Sequence, residues 1–319
     1  MEIEPAAFVD TLETHQPDGL QPLLQKTSRT FALTIPLLPE PLQTEVATAY
    51  LLFRIIDTFE DATRWESARR AKALGTFAQI MESGSAHGAR EQTARWLDDP
   101  PLDHAGYLEL LAATPEVLEW QRALTRPAAR EQLRRHVARS ARGMIDVVLR
   151  MDGSGALHLK TLQELRDYCY TVAGIVGEML TELFILQSPS LKSVAADLRA
   201  RAVEFGEALQ LVNILKDAQS DGTEQRTYLP REASLAEVFS LARADLRRAI
   251  EYTELLRGAG GDRGIVAFNA LNLHLAVDTL HLVRTEGPGA KLTRVQVAGI
   301  LARVSSAISN GGVLFPERP

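Results

Sequence analysis

The chain has 319 residues and a mass of 35.1 kDa, with 45% hydrophobic, 24% charged and 6% aromatic residues, proportions that exclude a disordered chain and a coiled-coil rod. A net charge of -6 and a pI near 5.7 give no general basic footprint, so nucleic acid is not an expected partner and an anionic ligand needs a local device to hold it. The one cysteine, Cys169, excludes an internal disulfide framework and a multi-cysteine zinc site; lysine is confined to positions 26, 72, 160, 192, 216 and 291, and the other basic residues are arginine.

Apolar residues recur three and four apart over long stretches, which predicts an all-α chain. Helices are expected near 19–34, 40–63, 64–83, 104–124, 127–151, 160–187, 191–219, 232–257, 262–285 and 293–310. No internal repeat or composition shift divides them, so a single domain over 1–319 is expected. Pro36, Pro39 and Pro41 separate the first two helices, Asp99-Pro-Pro101 opens a turn, and Asp152-Gly-Ser-Gly155 stops the arginine-rich helix. The acidic start, Met1-Glu-Ile-Glu-Pro5, is unlike a secretory leader. Apolar runs such as Val172 to Leu180 are interrupted before the roughly 20 residues of a bilayer span, so the expected location is cytoplasmic.

The first chemical signal is Thr27-Ser28-Arg29-Thr30-Phe31, which starts a helix with a hydroxyl and a cation where a phosphate could meet free N–H groups; hydroxyl residues are also ordinary caps. The next is denser. Tyr50, Arg54, Asp57 and Asp61 are spaced four, three and four apart on one face of a helix, with Glu60 at its flank and Leu51, Leu52, Phe53, Ile55 and Ile56 between them as core. Carboxylates so placed either hold a divalent cation, with hard oxygen ligands favouring magnesium, or face water at a helix end, where they oppose the macrodipole.

Farther along, Asp167-Tyr168-Cys-Tyr170-Thr-Val172-Ala-Gly174-Ile-Val-Gly177-Glu178 puts two glycines inside a helix. They serve close packing or a ligand passing near the backbone. Gln210, Asn213, Asp217 and Asp221 again share one face, with Lys216 beside them. Two such faces across a pocket could hold magnesium and a diphosphate together, because magnesium takes its remaining ligands from water and substrate phosphate. The polar stretch from Ser220 to Pro230 reads as a loop beside that site. Asn269, Asn272, His274 and Asp278 form a polar set in an apolar helix, either a solvated face or a changed pocket wall.

Taken in order, Ser28-Arg-Thr-Phe31, Tyr50-Leu-Leu-Phe-Arg54-Ile-Ile-Asp57-Thr-Phe-Glu60-Asp61, Tyr168-Cys-Tyr-Thr-Val-Ala-Gly174 and Gln210-Leu-Val-Asn213-Ile-Leu-Lys216-Asp217 resemble the squalene/phytoene synthase family of head-to-head prenyltransferases, over about residues 27–285. Asp-Thr-Phe-Glu-Asp at 57–61 is similar to squalene synthases, and the lack of an apolar tail after Leu314 to the bacterial type; Thr227-Tyr-Leu-Pro230 is equally at home in phytoene-type enzymes. The resemblance implies an isoprenoid synthase helical bundle around a central cavity, acting on farnesyl diphosphate with several magnesium ions and NADPH. It implies metal ligation by Asp57, Glu60, Asp61, Asn213, Asp217 and Asp221. Diphosphate or cofactor contacts fall to Ser28, Arg29, Tyr50, Arg54, Gln210, Lys216 and Arg226. Tyr168 acts in the ionisation and cyclopropanation steps, beside the catalytic aspartates 57, 61, 217 and 221. Phe31, Val172, Gly174 and Phe268 meet the prenyl chains. Three departures stand out: Ser220 where the family usually has an acid, Lys216 for an arginine, and Asn272 for a proline in an apolar stretch. A peripheral membrane association for release of a C30 product is also implied.

Overall fold

The structure, a computed structural model, describes residues 17–152, 156–223 and 228–316, with side chains in the second segment described to Ala218. Its regular elements are all helical: α1 (Leu20–Thr27), α2 (Phe31–Thr34), α3 (Leu42–Glu60), α4 (Ser67–Ser83), α5 (Ala89–Asp98), α6 (Ala105–Ala112), α7 (Thr114–Ala123), α8 (Pro127–Leu149), α9 (Leu162–Cys169), α10 (Ile175–Gln187), α11 (Ala195–Arg199), α12 (Ala202–Thr223), α13 (Leu235–Gly258), α14 (Arg263–Glu286) and α15 (Arg294–Ser309).

The expected all-α class holds, and several elements differ from the expected spans, among them the stretch 191–219, which is split between α11 and α12. The first helix breaks at Ser28, whose extended backbone (φ -142, ψ 138) ends α1. The Ser28 hydroxyl then accepts from the Phe31 N–H at 2.9 Å and starts α2. Helix α5 was not expected, because only Ala89, Thr93 and Trp96 form its buried stripe. The stretch 104–124 is two helices that meet at Ala113 (φ -81, ψ 6). Finally, α12 continues to Thr223 through residues read as a loop.

Between α9 and α10 the helix does not stop but widens. Tyr170–Gly174 form a π-helical turn, closed by the Ile175 N–H donating to the Tyr170 carbonyl. The glycines beyond it answer the question the sequence left open. A Cβ on Gly177 would lie 2.0 Å from the Ala202 carbonyl oxygen, and one on Gly206 would lie 2.0 Å from that of Ala173. These residues let α10 and α12 run antiparallel with backbones in contact. Gly174 likewise packs against Tyr170 and Val203.

Buried charges pin the bundle. Glu45 of α3, 1% exposed, pairs with Arg126 at the start of α8, which also donates to Gln187 Oε1 of α10 at 2.9 Å. Arg166 of α9 reaches Glu207 of α12 at 3.1 Å and Asp245 of α13 at 3.6 Å. Burial pushes Glu207 up to about 7 and Asp245 up to about 6, against the pull of Arg166. The folded state therefore holds protons that the unfolded chain releases, and stability falls as pH rises from about 4.5 to 7. Glu207→Gln removes its share of that slope, so variant-minus-wild-type melting temperature should increase from pH 5 to pH 8. Parallel melting curves by circular dichroism across that range would contradict it.

Helices Leu162–Gln187, counted through the π turn, and Arg263–Glu286 are long and apolar enough to cross a membrane by composition alone, contrary to the sequence reading; 56% of each apolar window is buried inside the bundle.

Candidate active site

One cavity lies between α3, the π turn with α10, and α12, closed by Phe31 of α2 and Phe268 of α14. The space between its walls, mouth included, is about 920 Å³. Helical spacing explains how each wall contributes. Val46, Ala49, Tyr50, Phe53, Arg54 and Asp57 follow one face of α3; Phe205, Gly206, Leu209, Gln210 and Asn213 follow one face of α12; Val172, Val176 and Leu180 come from the third wall. Polar groups gather at one end, at Arg54, Asp57, Gln210 and Asn213, and the opposite end is apolar. From Asp57 to Val46 the wall is about 16 Å deep at the α-helical rise.

At the polar rim, Arg54 Nη1 lies 3.4 Å from Asp57 Oδ2. Arg54 Nε donates to Tyr50 Oη at 3.3 Å, and Tyr50 Oη donates to the Thr27 carbonyl at 2.7 Å, which ties the α1–α2 corner to the rim. The Arg54 guanidinium also sits 5.6 Å from the Tyr50 ring centre and 5.4 Å from that of Tyr107. Burial, reinforced by Asp61, raises the Asp57 carboxyl to about 6, although Arg54 opposes the shift. On the opposite wall, Lys216 Nζ is 3.2 Å from Asp217 Oδ2 and donates to Asn213 Oδ1 at 3.3 Å. Inside, Phe31 packs on Tyr50 and Phe268, with ring centres 5.5 and 6.4 Å apart.

Tyr168 stands behind the rim, outside the cavity lining, buried and stacked on Tyr228 at 4.7 Å between ring centres. Burial and the negative charge of Glu60 hold its phenol protonated well beyond the usual range. The acids of α3 divide: Asp57 faces the cavity, Asp61 is the C-terminal capping residue, and Glu60 is buried.

The structure thus brings Phe31, Tyr50, Arg54, Asp57, Val172, Gln210, Asn213 and Phe268 to one cavity. Ser28 instead caps α2, Gly174 packs between helices, and Arg29 is exposed. The Asp221 side chain and all of Arg226 lie outside the described residues. Sequence reasoning missed the apolar end, since it assigned no role to Val46, Leu180 or Phe205. The polar set in α14 is not a solvated face. Asn269 and Asn272 are buried and donate to the Ile265 and Phe268 carbonyls at 2.7 and 2.9 Å, while His274 bonds the Leu314 carbonyl at 2.9 Å.

Among the described residues no three of His, Cys, Asp or Glu form a metal-binding group. The oxygen donors that line the rim are Asp57 on one wall and Asn213 on the other, with Asp61 and Asp217 each four residues farther along the same helices. Their hard oxygens suit a cation that takes one or two carboxylates and completes its shell with water and phosphate, as magnesium does.

Comparison with known proteins bears on this cavity. The squalene/phytoene synthase family model matches residues 24–238. A Candida albicans squalene synthase is 29% identical over 210 residues, 66% of this chain and 44% of that protein. A Botryococcus braunii squalene synthase is 32% identical over 216 residues, 66% of this chain and 42% of that protein. The match spans less than half the length of these curated relatives. The solved ligand complex of TcSQS superposes with a TM-score of 0.74 at 25% identity, covering 89% of this chain and 84% of that one. A dehydrosqualene synthase in complex with ligand shares the fold, with a TM-score of 0.53 at 19% identity over 91% and 95% of the two chains.

Proposed function

The chain belongs to the squalene/phytoene synthase family and has its all-helical terpenoid synthase fold, and from that premise we propose that it joins two farnesyl diphosphates head to head to presqualene diphosphate and reduces this with NADPH to squalene. The observation that carries the reading is the cavity itself, with a charged rim at one end and apolar walls at the other.

Asp57 and Asp61, with Asn213 and Asp217, are the residues that would hold magnesium. When bound, the metal offsets charge on the leaving diphosphate. Arg54 positions the Asp57 carboxylate and adds a cation beside the diphosphate. Lys216 supplies a point charge on the other wall where an arginine would supply a fork. The Phe31 and Tyr50 rings present π faces to an allylic cation, which such faces attract. Apolar walls keep water from that cation. Tyr168, held neutral, has a proton to donate rather than a negative charge to compete for the metal.

The reductive half rests on kinship with squalene synthases. A second reading stops at condensation, with presqualene diphosphate, hydroxysqualene or dehydrosqualene as product. It is favoured by the buried amides of Asn269 and Asn272, which flank the cavity-lining Phe268 and include an Asn269 Oδ1 without a hydrogen-bond partner. Incubation with magnesium and farnesyl diphosphate, with and without NADPH, separates the two. Squalene in the organic extract only with NADPH is the expected result. A C30 alcohol regardless of NADPH would favour the second reading, and turnover of only the C20 diphosphate would overturn the chain length.

A further inference from the structure

Arg54 stands at the polar rim of the cavity on a long stem that, left alone, would sample many rotamers. Its guanidinium is instead held from two helices. On α3 itself, Nη1 lies 3.4 Å from Asp57 Oδ2, Nε donates to Tyr50 Oη at 3.3 Å, and the Tyr50 ring is centred 5.6 Å from the guanidinium carbon. The other helix is α6, whose Tyr107 ring is centred 5.4 Å from the same carbon.

Tyr107 owes its place to contacts that none of the rim motifs contains. Its half-buried ring stacks on His104, with ring centres 4.0 Å apart, and the His104 side chain accepts from the Tyr107 N–H at the start of α6. Helix α6 is in turn fixed to the end of α1. Lys26 Nζ donates to both carboxylate oxygens of Glu109, at 2.6 and 2.8 Å. A Cβ on Gly106 would lie 2.9 Å from the Lys26 carbonyl oxygen, so glycine is what lets the two backbones come this close. The next residue, Thr27, accepts from Tyr50 Oη at 2.7 Å. The last turn of α1 therefore sets both tyrosine rings against one guanidinium. Tyr107 does not line the cavity, and its hydroxyl makes no hydrogen bond among the described residues. What it offers is the ring.

We propose that Tyr107 is a positioning residue of the diphosphate subsite, its ring holding the Arg54 guanidinium at the rim before a diphosphate arrives. This rests on the reading of the cavity as a prenyl diphosphate site. An aromatic face attracts a cation through the ring quadrupole, most strongly where water is partly excluded, and the Arg54 side chain is 25% exposed. A neutral ring holds arginine without adding a negative charge that would repel the ligand. The acids near Arg54 are Asp57 and, one turn on, Asp61, which would share their charge with magnesium. A side chain immobilised beforehand also spares binding the cost of ordering it.

The test replaces residue 107 by phenylalanine, by phenylalanines with one, two and three ring fluorines, and by leucine. Two quantities are read on the full chain: affinity for inorganic diphosphate with magnesium, by calorimetry, and kcat/KM with farnesyl diphosphate. Fluorine draws electron density from the ring face and barely changes its shape, so a packing role would give a flat series. The expected result is Tyr107→Phe within about twofold of wild type, a stepwise loss of both quantities with each fluorine at an unchanged melting temperature, and about a tenfold loss for Tyr107→Leu. A series that stays flat as fluorines are added, Tyr107→Leu equal to wild type, or a wild type that binds no diphosphate would overturn the proposal. Graded diphosphate affinity in a protein that forms no C30 product would leave Tyr107 in its role and overturn the reaction instead.

Discussion

Asp57→Asn is expected to lower kcat/KM for C30 product formation by about a thousandfold while leaving the protein at least as stable as wild type at pH 8. The loss follows from position: Asp57 is the carboxylate of α3 that lines the cavity, and removing a preorganised charge from a reaction site costs on the order of 10²–10³ in rate. The stability sign follows from titration. Burial raises the folded carboxyl to about 6, so the ionised form is penalised in the folded state at every pH above that value. Asparagine keeps the shape and removes the penalty, at the cost of the Arg54 pairing. Product assays beside thermal melts at pH 5 and pH 8 give both readouts. Retained activity would remove this cavity as the reaction site, and a variant that unfolds at pH 8 would mean that Arg54–Asp57 stabilises the bundle.

Gly206→Ala and Gly177→Ala should each cost about 3 kcal/mol or more, or prevent folding. A Cβ at either position meets a carbonyl oxygen of the facing helix at 2.0 Å, so the helices must separate. The control is Gly258 at the end of α13, where a Cβ meets nothing within 4 Å. Gly258→Ala should leave stability unchanged or raise it by up to about 1 kcal/mol, the helix-propensity difference. Urea denaturation of the three variants checks the contrast. Equal small effects at all three positions would mean that the α10–α12 contact is looser than described.

These two predictions show unequal debts to the sequence. The rim was legible, because Tyr50, Arg54 and Asp57 at spacings of four and three can share a surface only on a helix, and acids among Leu51, Phe53 and Ile55 call for a partner. The division of labour within Asp57-Thr-Phe-Glu60-Asp61 was not, since only the packed helices decide that Asp57 lines the cavity while Glu60 is buried. The apolar shaft was hidden for a similar reason. Val46 and Phe205 have the residue types of any core, and only the arrangement of three helices makes them walls. Helix α5 was overlooked because Arg90, Glu91, Gln92, Arg95 and Asp98 mask a stripe of three residues. Asn269 and Asn272 left a solvated face and a changed pocket wall both open, and only the fold shows that they are buried, each amide nitrogen donating to a carbonyl of its own helix.

The π turn at Tyr170–Gly174 has a consequence for how relatives should be aligned. A helix that takes in one extra residue rotates everything after it by about 100° relative to what came before. Residues up to Cys169 and residues from Ile175 onward therefore keep separate phases, although no break in apolar pattern separates them. In a relative whose helix is regular throughout, the corresponding segment is one residue shorter, and the gap belongs between 170 and 174. Put one turn later, that gap would give Val176 the wrong counterpart, and a residue that faces the cavity would be matched to one on another side of the helix.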